Sequence, residues 1–70
     1  MDPIEVVAQY ILTPERHKRI RRALANSLRD WRASGGFRPD AQAVRERLEK
    51  TGKPLPACWA HTARDLGCLG

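Results

Sequence analysis

Apolar residues recur at spacings of three and four along most of this 70-residue chain, and no stretch alternates between apolar and polar residues long enough for a strand. Spacings of three and four place side chains on one face of an α-helix. The pattern therefore predicts an all-α fold. Apolar residues make up 41% of the chain and charged residues 30%, as is usual for a globular protein. We expect one compact domain over residues 1–70, near the lower size limit for an unaided hydrophobic core.

Capping residues and prolines set the ends of the first two helices. Asp2-Pro3 combines an N-cap side chain with a proline in the first turn, which predicts a helix over residues 3–12. Thr13-Pro14 repeats this pattern and predicts a second helix over residues 14–33, which ends at a pair of glycines.

Two further helices follow from the same kind of signal. Asp40 predicts the N-cap of a third helix, over residues 40–51, and Gly52 ends it. A fourth helix is predicted over residues 56–66. The residues at inward positions of the four helices form the predicted core. They are Ile11, Ile20, Leu24, Leu28, Trp31, Val44, Leu48, Trp59 and Leu66.

The stretch from Val44 to Pro56 resembles the opening of winged-helix repressor domains, which have a helix, a glycine and a proline-containing turn before the next helix. The resemblance covers about thirteen residues and implies a helix-turn-helix-like corner between the third and fourth helices. A tight corner of this type needs a small residue where this chain has Leu48, so the predicted corner departs from the pattern. Its exposed side would carry His61, Thr62 and Arg64.

Positive charge is concentrated in the second predicted helix. Residues 14–33 carry a net charge of +5, which equals the formal net charge of the whole chain. Lys18 and Arg22 are like charges four residues apart, a spacing that slightly destabilises an isolated helix. Five of the cations lie on the arc opposite the predicted apolar face. They are Lys18, Arg21, Arg22, Arg29 and Arg32.

Three explanations fit this basic helix. Phosphates of a nucleic acid, with DNA favoured, would exchange their counterions for these cations. An acidic protein surface would attract them through its complementary potential. The third explanation is a solubilising face with no partner. Arg38, Lys53 and Arg64 are predicted to flank a contact with either partner.

Three functional hypotheses follow. The first is a small regulatory protein that binds nucleic acid, and the second is a bacteriophage-type inhibitor of a host nucleic-acid machine, such as an anti-CRISPR or a transcription modulator. The third, compatible with both, is a homodimer through the strongly apolar first helix. The residues expected in that dimer interface are Ile4, Val7, Tyr10 and Ile11.

Other functions lack supporting residues. Cys58, His61 and Cys68 do not have the spacing of a known zinc site, even with His17 as a fourth ligand, so we expect no metal. We expect neither a cofactor nor an enzymatic activity, because no nucleophile, carboxylate pair or phosphate loop stands in a catalytic pattern. The sequence has no membrane span and no signal-peptide pattern, which predicts a cytoplasmic protein.

Overall fold

The computed structural model describes residues 2–55, 57 and 59 of the chain. These residues form the helices α1 (Pro3–Leu12), α2 (Lys18–Ala33) and α3 (Ala41–Lys50), with no strand among them, so the all-α prediction is confirmed. The described part thus contains three helices rather than the predicted four. Apart from Ala57 and Trp59, the predicted fourth helix lies outside the described residues. The radius of gyration is 11.1 Å, against about 11 Å expected for a compact chain of this length.

Helix α1 is the central element, because it packs against both α2 and α3. Asp2 caps it as predicted: its Oδ1 accepts hydrogen bonds from the backbone N–H groups of Ile4, at 3.1 Å, and Glu5, at 3.3 Å. Val7 and Ile11 are buried against the other two helices. The apolar excess of α1 is therefore largely accounted for within one chain.

Helix α2 begins at Lys18, so the predicted start at residue 14 is wrong. Thr13 completes the end of α1 instead of capping α2: its hydroxyl donates to the carbonyl oxygen of Gln9 at 2.6 Å, and its N–H donates to the same oxygen at 3.0 Å. The next residues form a turn, closed by a hydrogen bond from the His17 N–H to the Pro14 carbonyl at 3.0 Å. After this turn, α2 packs against α1.

The buried core contains residues from all three helices, and four of the predicted core residues belong to it. The prediction that Ile20 belongs to the core is wrong, since this residue is 54% exposed. Leu24 is half-buried, and Trp31 and Trp59 are half-buried and pack against the core. Leu66 lies outside the described residues. The core residues are Val7, Ala8, Ile11, Leu28, Val44 and Leu48.

The connection between α2 and α3 is fixed by the indole of Trp31. Its Nε1–H donates to the carbonyl oxygen of Phe37 at 2.9 Å, and the two rings meet edge to face with their centres 5.6 Å apart. Gly36 passes so close under the indole that a Cβ there would stand 2.2 Å from a ring atom. Pro39 is fully buried just before α3 begins.

Helix α3 is held to the start of α1 by Arg47, which the sequence analysis did not single out. Its Nη1 lies 2.6 Å from Glu5 Oε2 and 3.1 Å from Asp2 Oδ2. The ends of α3 are as predicted: Asp40 accepts a hydrogen bond from the N–H of residue 42 at 3.2 Å, and Gly52 follows the helix with φ +71°.

Candidate nucleic-acid interface

Helix α2 uses one face for packing and leaves the other exposed. Leu28 is buried on the packing face, and Leu24 and Arg21 are half-buried beside it. At about 100° per residue, the exposed charged and amide side chains from Lys18 to Asp30 cover an arc of about 120° on the opposite side. They include Lys18, Arg19, Arg22, Asn26, Arg29 and Asp30.

Three cations of this face form a line, which we call the basic stripe: Lys18, Arg22 and Arg29. On the helical wheel they lie within an arc of about 40°, and they extend about 16 Å along the helix axis. All three are exposed, and none makes a side-chain hydrogen bond or ion pair with the described part of the chain. The stripe is thus a row of positive charges that the described residues leave unneutralised.

The acidic residues of the other helices are used within the fold. Asp2 and Glu5 bind Arg47, and Asp40 caps α3. Helix α2 itself has six cations and one acid, and that acid, Asp30, lies at the edge of the exposed arc. The uneven charge predicted from the sequence is therefore present on the folded surface.

The ion pairs of Arg47 shift the titration of both carboxylates. The Arg47 hydrogen bond is the main cause that lowers the pKa of Glu5. Desolvation raises the pKa of Asp2, but hydrogen bonds from Arg47 and from backbone N–H groups outweigh it and leave that pKa lowered. Both carboxylates thus stay ionised to lower pH than usual, and their ion pairs with Arg47 already engage them within the fold.

Arg21 has a different environment from the one that the sequence analysis expected. Its guanidinium donates to the carbonyl oxygens of Thr13, at 2.8 Å, and Tyr10, at 3.4 Å, and it lies over the Tyr10 ring, 4.2 Å from the ring centre. Helix α1 has no basic residue in its own last turn, where a cation is favourable. Arg21 supplies that cation from α2, so it stabilises the fold and does not belong to the stripe.

The other predicted contact residues lie outside the stripe. Arg38 is exposed in the loop between α2 and α3, and Lys53 is exposed after α3. Arg32 is exposed on α2, about 40° from the stripe, and already takes part in an interaction of its own. Arg64 lies outside the described residues.

The predicted dimer residues differ in accessibility. Val7 and Ile11 are buried within the single chain, and Ile4 and Tyr10 are half-buried. A second copy could therefore contact Ile4 and Tyr10 directly, whereas Val7 and Ile11 would become accessible only if the core opened. The dimer remains a prediction.

Within residues 2–55, 57 and 59, no three His, Cys, Asp or Glu side chains come together as a metal site. His17 is exposed at the start of α2, whereas Cys58, His61 and Cys68 lie outside the described residues, as do Thr62 and Arg64 of the predicted corner. None of the described helices has the length and apolar character needed to cross a membrane.

No protein-family model, curated protein or solved structure matches this chain.

Proposed function

We propose that this protein binds the phosphate backbone of a nucleic acid through the basic stripe on α2, and that its role is regulatory rather than catalytic. The observation that carries the proposal is the stripe itself, three exposed cations in a row without partners in the described part of the chain. Lys18 and Arg22, four residues apart, are like charges that repel one another. Phosphates would relieve the repulsion, and the release of their condensed counterions would favour binding.

The start of α2 supports the same proposal. His17 at the N-cap makes no side-chain capping bond, and the first turn contains no acidic residue. Lys18 and Arg19 therefore add positive charge to the positive end of the helix dipole, where an anion is favoured. A phosphate near Lys18 would accept hydrogen bonds at the uncapped start of α2 and offset the positive charge that gathers there.

An acidic protein surface is the alternative partner, as for a small bacteriophage-type inhibitor of a host nucleic-acid machine. Phe37 favours this alternative: the residue is 58% exposed on a loop that Trp31 holds in place. Exposed, rigidly held aromatic rings are enriched at the centre of protein interfaces. The stripe would then provide the complementary charge. A cytoplasmic location and a homodimer through α1 are compatible with either partner.

Binding of labelled duplex and single-stranded DNA, measured by fluorescence anisotropy, tests the proposal. The double variant R22Q/R29Q removes two stripe charges, and R45Q/K50Q removes the same charge from exposed positions of α3. We expect R22Q/R29Q to bind much more weakly than R45Q/K50Q, although their net charges are equal. Absence of binding to either DNA at about 50 mM salt would contradict the proposal, since phosphate contacts are strongest at low salt. The acidic protein surface would then become the favoured partner.

A further inference from the structure

An uncharged amide stands inside the exposed basic face of α2. Asn26 is exposed and follows Arg22 by four residues and precedes Arg29 by three. On the helical wheel it lies about 40° from Arg22 and about 60° from Arg29, so the three side chains extend from the same face. Asn26 therefore lies close to the basic stripe on the exposed surface of α2.

The amide of Asn26 makes no side-chain hydrogen bond with the described residues. The next residue behaves differently, because the Ser27 hydroxyl donates back to the Ala23 carbonyl at 3.0 Å. Asparagine is also an unfavourable residue in the middle of a helix. Asn26 therefore has its donor and its acceptor available for an external partner.

The shape of α2 suits the major groove of duplex DNA. The helix has 16 residues, and a helix of that length extends about 24 Å. It packs mainly on α1, and its exposed charged and amide side chains from Lys18 to Asp30 cover an arc of about 120°. The major groove of B-DNA is about 12 Å wide and admits an α-helix, whereas that of A-form RNA is too narrow for side chains to read.

We propose that α2 is a recognition helix that lies in the major groove of duplex DNA, where Asn26 reads the edge of an adenine. The side-chain carbonyl accepts from adenine N6, and the side-chain amide donates to N7, a bidentate pairing that only adenine offers to an amide in this groove. Arg22 and Arg29, which precede and follow Asn26 along the helix and lie on the same side of it around the axis, hold the helix in register through phosphate contacts. This inference depends on the proposed phosphate binding and adds a sequence preference to it.

Selection from a randomised duplex library, followed by anisotropy titrations, tests the inference with the N26A variant. Alanine raises helix propensity, so N26A keeps the fold, and circular dichroism verifies this. We expect the wild type to enrich a short motif that contains an adenine. N26A should bind that duplex about tenfold more weakly, lose its discrimination at the adenine, and bind unselected duplex as the wild type does. Q42A, which removes an exposed amide from α3, should behave as the wild type.

The results that overturn the inference differ from those that overturn phosphate binding. Salt-dependent binding of all duplexes with no enriched motif would overturn the inference and leave phosphate binding intact. The same holds if N26A keeps the full preference, or if structured RNA is bound more tightly than duplex DNA. Absence of binding to any nucleic acid would overturn both.

Discussion

The guanidinium of Arg21 lies 4.2 Å from the centre of the Tyr10 ring, whereas its neighbour Arg22 is exposed and makes no side-chain contact of that kind with the described residues. One step along the sequence thus separates a cation that holds two helices together from a cation that is available to a partner. Because the two residues carry the same charge, substitutions at these two positions distinguish the structural role of the basic helix from its proposed binding role.

Arg21→Gln should lower the free energy of unfolding more than Arg22→Gln, whereas Arg22→Gln should lower the DNA affinity more. Arg21→Gln removes two hydrogen bonds and a cation–π contact, so the free energy of unfolding should fall by about 1–3 kcal/mol. Arg22→Gln should change it by less than about 0.5 kcal/mol, as is usual for an exposed site. In contrast, DNA affinity should fall more for Arg22→Gln. Urea unfolding and anisotropy measure the two effects, and equal effects of the variants on both would contradict this division of roles.

The ion pairs of Arg47 predict a loss of stability in acid. The pKa values of Glu5 and Asp2 are lowered in the folded protein, so the stabilisation is complete at neutral pH and is lost as the carboxylates become protonated. Between about pH 5 and pH 3 the melting temperature of the wild type should fall more steeply than that of Arg47→Gln. Arg45→Gln, which breaks only an exposed pair with Glu49, should keep the wild-type pH dependence. If the melting temperatures of the wild type and of Arg47→Gln fell in parallel with pH, the Arg47 ion pairs would not be the source of the acid sensitivity.

Gly36→Ala should destabilise the protein because its methyl group would collide with the Trp31 ring. We expect a cost of about 1–3 kcal/mol, typical of overpacking, together with a change in tryptophan fluorescence. Gly52→Ala is the matched control: it is strained by its positive φ but has no atom within 4 Å of the added methyl. It should be destabilising without altering the fluorescence of the folded state. A neutral Gly36→Ala would show that the loop does not pass under the indole as described.

The predicted homodimer can be tested at Ile4, which is half-buried near the start of α1. If α1 forms the interface, light scattering should give a dimeric mass for the wild type and a monomeric mass for Ile4→Asp. A monomeric wild type at tens of micromolar, or an Ile4→Asp variant with unchanged mass, would exclude this interface.

Local sequence signals predicted a helix end correctly where a single capping residue or glycine determines it. Asp2 and Asp40 cap α1 and α3 as expected, and Gly52 follows α3 in the left-handed conformation. The start of α2 was wrong because Thr13 can serve either the end of one helix or the start of the next, and tertiary packing decides between them.

The candidate site was predictable only in part, because helix periodicity gives angles but not the position of the neighbouring helix. Lys18, Arg22 and Arg29 are exposed as expected. Arg21 was assigned to the exposed face because the helical wheel contains no information about the carbonyl groups at the end of α1. The helical wheel also assigned Ile20 to the packing face, whereas Ile20 is exposed in the structure. Arg47 binds residues more than forty positions away, which no local pattern reveals.

The salt dependence of duplex binding tests the central claim most directly. If the three cations of the basic stripe contact phosphates, the logarithm of the binding constant should fall with the logarithm of the salt concentration with a slope of about −2.7, or about −0.9 for each phosphate. R22Q/R29Q should reduce this slope by nearly two units on every unselected duplex, since phosphate contacts carry no sequence information. R45Q/K50Q should keep the wild-type slope. Equal slopes for the wild type and R22Q/R29Q would contradict the claim that α2 binds phosphates.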